Sequence, residues 1–371
     1  MTTGSRGMTV VGWFAASRLA IAVLGVIGVA TFATFVDQGT LVLDNPAALN
    51  PVNVWHKWDS IWYQRIAEYG YGYELDTPQG QATAGFFPLY PLTIRLIMTL
   101  VPALSFFWVA TIFSNLVALA ALLLLARSLI PRDDMVGRVM TIMMTSAGSF
   151  YLSIPYTESL FLLLVVATIV ATRRRRYELA GLLAGLSATT RAHGLALVAV
   201  PAIACWLDAT LAARARWTRV LMTLALFAVP VVIYLAYLEN VQSSWYAFVT
   251  RQQLWDNPSP YPFQALIGLI EFPRRISGWV HGAFWLLYLG LLVRYWRRLP
   301  LGESLFCAGV FVISTQQEAF HGVYRYMVPL VPLTLALADD RADVRHAIIA
   351  INLVFGVLMI LAFVTHNRLT V

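Results

Sequence analysis

An all-α, polytopic membrane protein is what the sequence predicts, and three observations carry that reading. Of its 371 residues, 59% are hydrophobic and only 12% are charged, against the roughly 25% charged share of an ordinary soluble domain. The mean hydropathy is +0.69. The apolar residues also fall in successive runs separated by short arginine clusters. One water-facing core would leave much of this apolar surface exposed, so a soluble globular enzyme is excluded and lipid is the expected solvent. The formal charge of +7 does not point to nucleic acid, because the arginines punctuate the runs instead of forming one basic face. Lys57 is the only lysine, a usage that fits a GC-rich bacterial genome. Cys205 and Cys307 lie inside apolar runs and match no metal or disulfide spacing, so no metal or cofactor is expected.

The first run, Trp13 to Val36, is too long for a signal peptide and reads as a retained span. Its N-terminus is then cytoplasmic, with Arg18 within snorkelling reach of the inner headgroups. Ten more runs follow at about Ser105 to Leu125, Val139 to Ser153, Ser159 to Thr172, Leu179 to Thr190, Gly194 to Leu207, Val220 to Leu238, Gly282 to Val293, Ser304 to Ala319, Met327 to Ala338 and Ala347 to Val364. Several are short, which a bundle tolerates where helix ends face a protein-lined, wet vestibule. The stretch Phe86 to Leu104 is apolar but broken by Pro88, Pro91, Arg95 and Pro102. If it lies on the outer surface without crossing, 17 of the 26 basic residues fall inside and 9 outside, the bias that the positive-inside rule prefers. The sequence therefore predicts a single membrane domain over residues 1–371 with about eleven spans. A first outer loop of about residues 37–104 holds interfacial helices, and a second covers about residues 239–281. The inner loops are too short for an active site, so the chemistry is expected on the outer face.

Five motifs lie on that face. The densest is Trp55 to Tyr71, in which Asp59 and Ser60 suit an N-cap and Gly70 a C-terminal stop, predicting a helix from about Ser60 to Tyr69. Asp59 then either only caps the helix or serves as a base near the membrane surface. Gly85 to Pro91 reads as an interfacial turn. In Pro155 to Phe161, Thr157 suits a cap and Glu158 meets the positive end of a helix. Ala188 to Gly194 places Arg191 and His193 at an outer turn, and His321 to Tyr326 places Arg325 at an outer helix end. One such arginine alone could be snorkelling to lipid phosphate. Two arginines with a histidine beside short spans instead suit a cavity for a lipid-linked phosphate, because arginine offers planar, permanently charged donors.

In this order the motifs resemble the PIG-V family, GPI mannosyltransferase II in eukaryotes, within the GT-C class of membrane glycosyltransferases. The residues carrying the resemblance are Trp58, Asp59, Ile66, Ala67, Glu68, Gly70, Tyr71, Phe86, Phe87, Pro88, Pro91, Tyr156, Glu158, Leu160, Phe161, Arg191 and Gly194, with a return around Arg325. The chain departs from the eukaryotic pattern at Trp62 and Tyr63, where that pattern has a His-Phe pair, and at His193, where it has asparagine. The resemblance implies inverting transfer of mannose from a polyprenyl-phosphate donor on the non-cytoplasmic face, in a bacterium at the plasma membrane. By residue match it makes Asp59 the catalytic base.

Chemical reasoning supplies the remaining roles. A glycosyl phosphate carries its own good leaving group, so a single base on the acceptor side suffices, unlike glycoside hydrolysis, where an acid must protonate the departing oxygen. The departing phosphate needs cations already in place. Arg325 is the first choice and Arg191 the second. Trp58, Glu158, Glu68, His193 and His321 are candidates for substrate contacts. No Asp-x-Asp sequence occurs, and Asp133–Asp134 and Asp339–Asp340 fall on the cytoplasmic side, which disfavours a metal-bound nucleotide sugar. The partners expected are the polyprenyl-phosphate sugar, a glycan, glycolipid or protein acceptor, and the bilayer. The alternative is a transporter or flippase of lipid-linked sugars, which predicts matched repeats and broken helices in both halves. No such internal symmetry is evident in the sequence.

Overall fold

A computed structural model describes residues 3–32, 53–71, 83–252 and 261–365. Among them every regular element is helical. The helices are α1 (Thr3–Phe32), α2 (Asp59–Tyr69), α3 (Leu89–Leu100), α4 (Phe106–Ser128), α5 (Asp133–Thr145), α6 (Glu158–Arg173), α7 (Tyr177–Ala188) and α8 (Ala199–Trp206). They continue as α9 (Ala213–Gln242), α10 (Ala247–Gln252), α11 (Gln264–Glu271), α12 (Ile276–Tyr295), α13 (Leu301–Ile313), α14 (Val323–Met327), α15 (Val331–Ala338) and α16 (Ala342–Val364). In lipid each backbone N–H and C=O must be satisfied within its own segment, and the leucine, alanine and valine runs do so as helix.

Each of the eleven apolar runs carries helix, but the helices differ in reach. Five, within α1, α4, α9, α12 and α16, are long and apolar enough to cross a membrane. The other six runs fold into α5, α6, α7, α8, α13 and α15, which are 8 to 16 residues long. The structure thus supports an all-α membrane protein and, among the described residues, has five helices long and apolar enough to cross a membrane where the sequence predicted about eleven spans.

Ion pairs fix which helix ends lie together. Arg6 meets Asp133 at 2.5 Å, Arg132 meets Asp339 at 2.7 Å and Arg294 meets Asp340 at 2.7 Å. Arg219 meets Glu178 at 2.7 Å and Arg173 meets Glu303 at 3.3 Å. These contacts gather the starts of α1, α5, α7, α9 and α13 and the ends of α6, α12 and α15 at one arginine-rich end of the bundle. The aspartates of the two Asp-Asp pairs therefore serve as arginine partners there. The five motifs occupy the opposite end, since α6 runs from Glu158 at the motif end to Arg173 among the arginines.

Helices α2 and α3 cover the motif end. Trp62, Tyr63, Ile66 and Ala67 are buried along α2, and the Tyr63 ring packs edge-on to Phe86, Tyr90 and Tyr156 with centroids 5.5, 5.4 and 6.1 Å away. Helix α3 hydrogen-bonds through the Leu89 N–H to the Thr189 carbonyl at 3.0 Å. It leaves Leu92, Leu96 and Leu100 exposed, a spacing of four that puts an apolar stripe on one face, as a helix lying on lipid requires. Gly70 ends α2 at φ 84°, a left-handed conformation that favours glycine. At the other end of α2 the structure corrects the expected cap. Trp58 holds the N-cap position and Asp59 is the first helical residue, with no side-chain cap bond. Thr157 holds the N-cap position of α6 without capping it, its hydroxyl turning to Glu158 Oε2 at 3.4 Å.

Lys57 anchors this cover to the bundle. Its side chain is fully buried, and its Nζ donates to the Val364 carbonyl at 2.7 Å, one of the four carbonyls that α16 leaves unbonded at its C-terminus. The carbonyl of Lys57 in turn accepts the hydroxyls of Ser60 and Tyr156, each at 2.9 Å. Trp55 stacks on Phe363 with centroids 6.2 Å apart. The residue before Asp59 is thus tied through its neighbours to α6 and α16. A Lys57→Met substitution keeps the apolar stem and removes a charge-assisted bond to a buried carbonyl. It is expected to lower stability by about 1.5–3 kcal/mol, read as a fall in the melting temperature of the detergent-solubilised protein.

Candidate active site

Four segments deliver charge to one point of the motif end. Asp59 begins α2 and Glu158 begins α6, so each carboxylate sits at a helix N-terminus, where unbonded N–H groups favour an anion. Arg191 comes from the turn after α7, and Arg325 from the last turn of α14. Arg325 Nη1 donates to Asp59 Oδ2 at 2.8 Å. Its Nε lies 3.9 Å from Glu158 Oε1, the same oxygen to which Arg191 Nη1 donates. Arg191 also donates to the Thr157 hydroxyl at 3.3 Å. The cluster is sheltered: Glu158 is 2% exposed, Arg191 12%, Arg325 17% and Asp59 24%. Glu158 is thus the fixed carboxylate and Asp59 the one in reach of an incoming molecule.

Aromatic rings floor the site. The Tyr326 ring lies under both guanidinium groups, 5.0 Å from Arg191 and 5.3 Å from Arg325, and Tyr151 lies 5.7 Å from Arg325, distances at which ring faces attract cations. Gln317 donates to the Tyr326 hydroxyl at 3.0 Å. The close approach of α14 depends on Gly148, where a Cβ would come within 2.6 Å of the Tyr324 carbonyl oxygen and 2.7 Å of Arg325 Cα. Any larger residue there would push Arg325 away.

Beside the arginines is a cleft with about 200 Å³ of empty space, lined by Glu158, Phe161, Arg191, His193, Arg325, Tyr326 and Pro329. Two polar atoms bordering it, Arg325 Nε and His193 Nε2, are buried without a hydrogen-bond partner. Such groups are costly to leave unmade and point to a ligand. His193 packs tilted against Tyr326 with centroids 4.3 Å apart, and burial, then Arg191 and Arg325, hold its imidazole well below the usual histidine range. It is neutral at pH 7 and keeps one N–H to donate.

The model of the mannosyltransferase (PIG-V) family matches residues 37–371. The chain belongs to that family. No curated protein matches it. The family match supports a membrane glycosyltransferase, and it takes in all the residues of the charge cluster and of the five motifs.

Most of the residues singled out from sequence converge on this charge cluster. Asp59, Glu158 and Arg191 are joined through Arg325 and one another, and His193 lines the same cleft. His321 adjoins them through Gly322, and its imidazole is pushed down to about 4 by burial, then by His281 and Arg325. Trp58 directly precedes Asp59 at φ 56°, a left-handed conformation that is strained for a bulky residue. Glu68 is not brought in. It is exposed and bonded by Gln64 at 2.8 Å, nine positions and about 13 Å of helix beyond Asp59. Glu158 spends its carboxylate on the arginines. Of the departures from the eukaryotic pattern, Trp62 stacks on Phe86 at 5.7 Å and Tyr63 joins the ring cluster. Sequence reasoning missed Tyr151 and Gln317. Tyr326 was visible as the neighbour of Arg325, but nothing in the sequence aimed its ring at both arginines.

The depressed histidines fix the sign of an acid effect. The unfolded chain takes up protons on these imidazoles from about pH 6.5 downward, while the folded site does not, so stability is full above that pH and lost below it. Melting temperatures are expected to fall between pH 6.5 and about 4, and a His321→Gln variant should show a shallower fall over that window.

Proposed function

We propose that this chain is an inverting mannosyltransferase that uses a polyprenyl-phosphate sugar on the non-cytoplasmic face of the membrane. The acceptor is a hydroxyl of a glycan, glycolipid or protein. The observation that carries this reading is the 2.8 Å contact between Asp59 and Arg325: a reachable carboxylate and a buried cation share one site, beside a cleft edged by two unsatisfied polar atoms.

Transfer proceeds by one displacement. Asp59 takes the proton of the acceptor hydroxyl, the acceptor oxygen forms a bond to the anomeric carbon, and the bond from that carbon to the phosphate oxygen breaks with its electron pair going to the phosphate. Attack opposite the leaving group inverts the anomeric centre. Arg325 and Arg191, with the neutral imidazole of His193, receive the phosphate charge in a site that needs little reorganisation. The prenyl chain is assigned to the mostly apolar groove that begins at Met327 and Val328, two residues beyond Arg325, with Ile142, Met143, Leu291 and Leu337 along it. Lipid tails need shape and apolar walls there, not polar recognition. The arginine-rich helix ends lie toward the cytoplasm, as the positive-inside bias favours, and the charge cluster then faces outward.

The test is turnover of labelled polyprenyl-phosphate mannose in membranes carrying the protein and their native acceptors. Asp59→Asn is expected to lower transfer by about 10²–10⁴-fold, the usual contribution of a general base, with membrane insertion retained. Turnover close to the parent rate in that variant overturns the assignment.

A further inference from the structure

The charges of the site pose a question that the transfer scheme alone does not answer. Asp59 and Glu158 carry two negative charges and Arg191 and Arg325 two positive ones, so among the described residues of the cluster the sum is zero. An arriving phosphate must therefore take its donors from a guanidinium that is already paired with a carboxylate. Glu158 is poorly placed to give way. It is 2% exposed, begins α6 and holds both arginines through one oxygen while Thr157 bonds the other. Asp59 is the more exposed of the two, at 24%, and holds Arg325 through a single oxygen and a single nitrogen.

Arg325 has further donors to offer. Among the described residues its Nε has no hydrogen-bond partner, and its Nη2 reaches the Tyr326 hydroxyl at 3.4 Å. A phosphate entering the cleft can take two donors of the planar fork at once, a stronger arrangement than the single contact with Asp59.

We propose that the donor phosphate and the Asp59 carboxylate compete for Arg325, and that seating the donor releases Asp59 to act as the base. This rests on reading Arg325 as the phosphate site. Before the donor arrives, Asp59 Oδ2 is occupied by the Arg325 guanidinium and is not open to an acceptor hydroxyl. Once the phosphate has Arg325, the carboxylate is free to bond the acceptor hydroxyl. The base is thus exposed only when there is a sugar to transfer. After transfer Asp59 holds the acceptor's proton and is neutral, so it no longer competes. The prenyl phosphate leaves when that proton has gone to solvent and the carboxylate returns to Arg325. Glu158 is a positioning residue in this scheme, keeping both guanidinium groups in place while Asp59 comes and goes.

The scheme makes a prediction opposite to that of a simple binding role for Asp59. Farnesyl phosphate, which carries the anion and a short prenyl chain but no sugar, is titrated into the purified full chain in nanodiscs. Asp59→Asn and Asp59→Ala both remove the competing carboxylate, and each is expected to bind the probe about tenfold more tightly than the parent, equivalent to about 1.4 kcal/mol. The use of two variants covers the case in which one does not fold. Equal or weaker affinity in a variant that remains folded in the nanodisc overturns the competition. Arg325→Ala separates this from the underlying assignment. Loss of binding in Arg325→Ala with no gain in the Asp59 variants defeats the competition alone, whereas parental affinity in Arg325→Ala defeats the phosphate site itself.

Discussion

The pairing of Asp59 with Arg325 closes a separation of 266 residues along the chain and brings the cover of the motif end onto the bundle beneath it. Everything proposed about chemistry depends on that contact. Asp59 comes from a helix whose inner face is aromatic and whose start is tied down by Lys57 and Tyr156. Arg325 comes from a five-residue helix that approaches closely only because position 148 is glycine. Neither element alone makes a site. Together they put a proton acceptor and a phosphate-sized cation within one hydrogen bond of each other.

Two guanidinium groups in an apolar bundle are tolerable because they are matched. Removing charged groups from water costs several kcal/mol per ion even after relaxation, and the cluster offsets that cost with two carboxylates at helix N-termini and with ring faces under the cations. The same physics orders the far end of the bundle, where arginine clusters meet Asp133, Glu178, Asp208, Glu303, Asp339 and Asp340. The two ends differ in use. At the far end the pairs staple helix ends together, whereas at the motif end they border a cleft and leave two polar atoms unsatisfied. A paired site at rest is stable, and its conversion to a working one requires a ligand charged enough to exchange partners.

Much of this was legible in the sequence wherever a local rule governed. The alternation of apolar runs and arginine clusters located the helices and their common arginine end, Gly70 marked the stop of α2, and the interrupted stretch after Phe86 formed the short α3 with an apolar outer stripe. The order of the motifs gave the family. Where contacts are long-range the sequence was silent. Glu68 stands in the same motif as Asp59 yet points to solvent, because two and a half helical turns separate them. Glu158 was a candidate sugar contact, and its pairing with Arg191 was not legible from its own motif. Lys57, the lone lysine, had no partner that its place in a loop could specify, and it is a buried link to the end of α16. The length of the helices was the least legible feature, since apolar runs of similar composition became helices from 8 to 30 residues long, their ends set by packing and not by composition.

The most direct test of the account is a double-mutant cycle between Asp59→Asn and Arg325→Gln, read as stability of the purified protein without donor. Groups in one ion-pair network share their energy, so the double variant is expected to lose less than the sum of the single losses, by about 1–3 kcal/mol. Losses that add to within about 0.5 kcal/mol would mean that Asp59 and Arg325 do not touch in the protein without donor, and that contradicts the account at its centre.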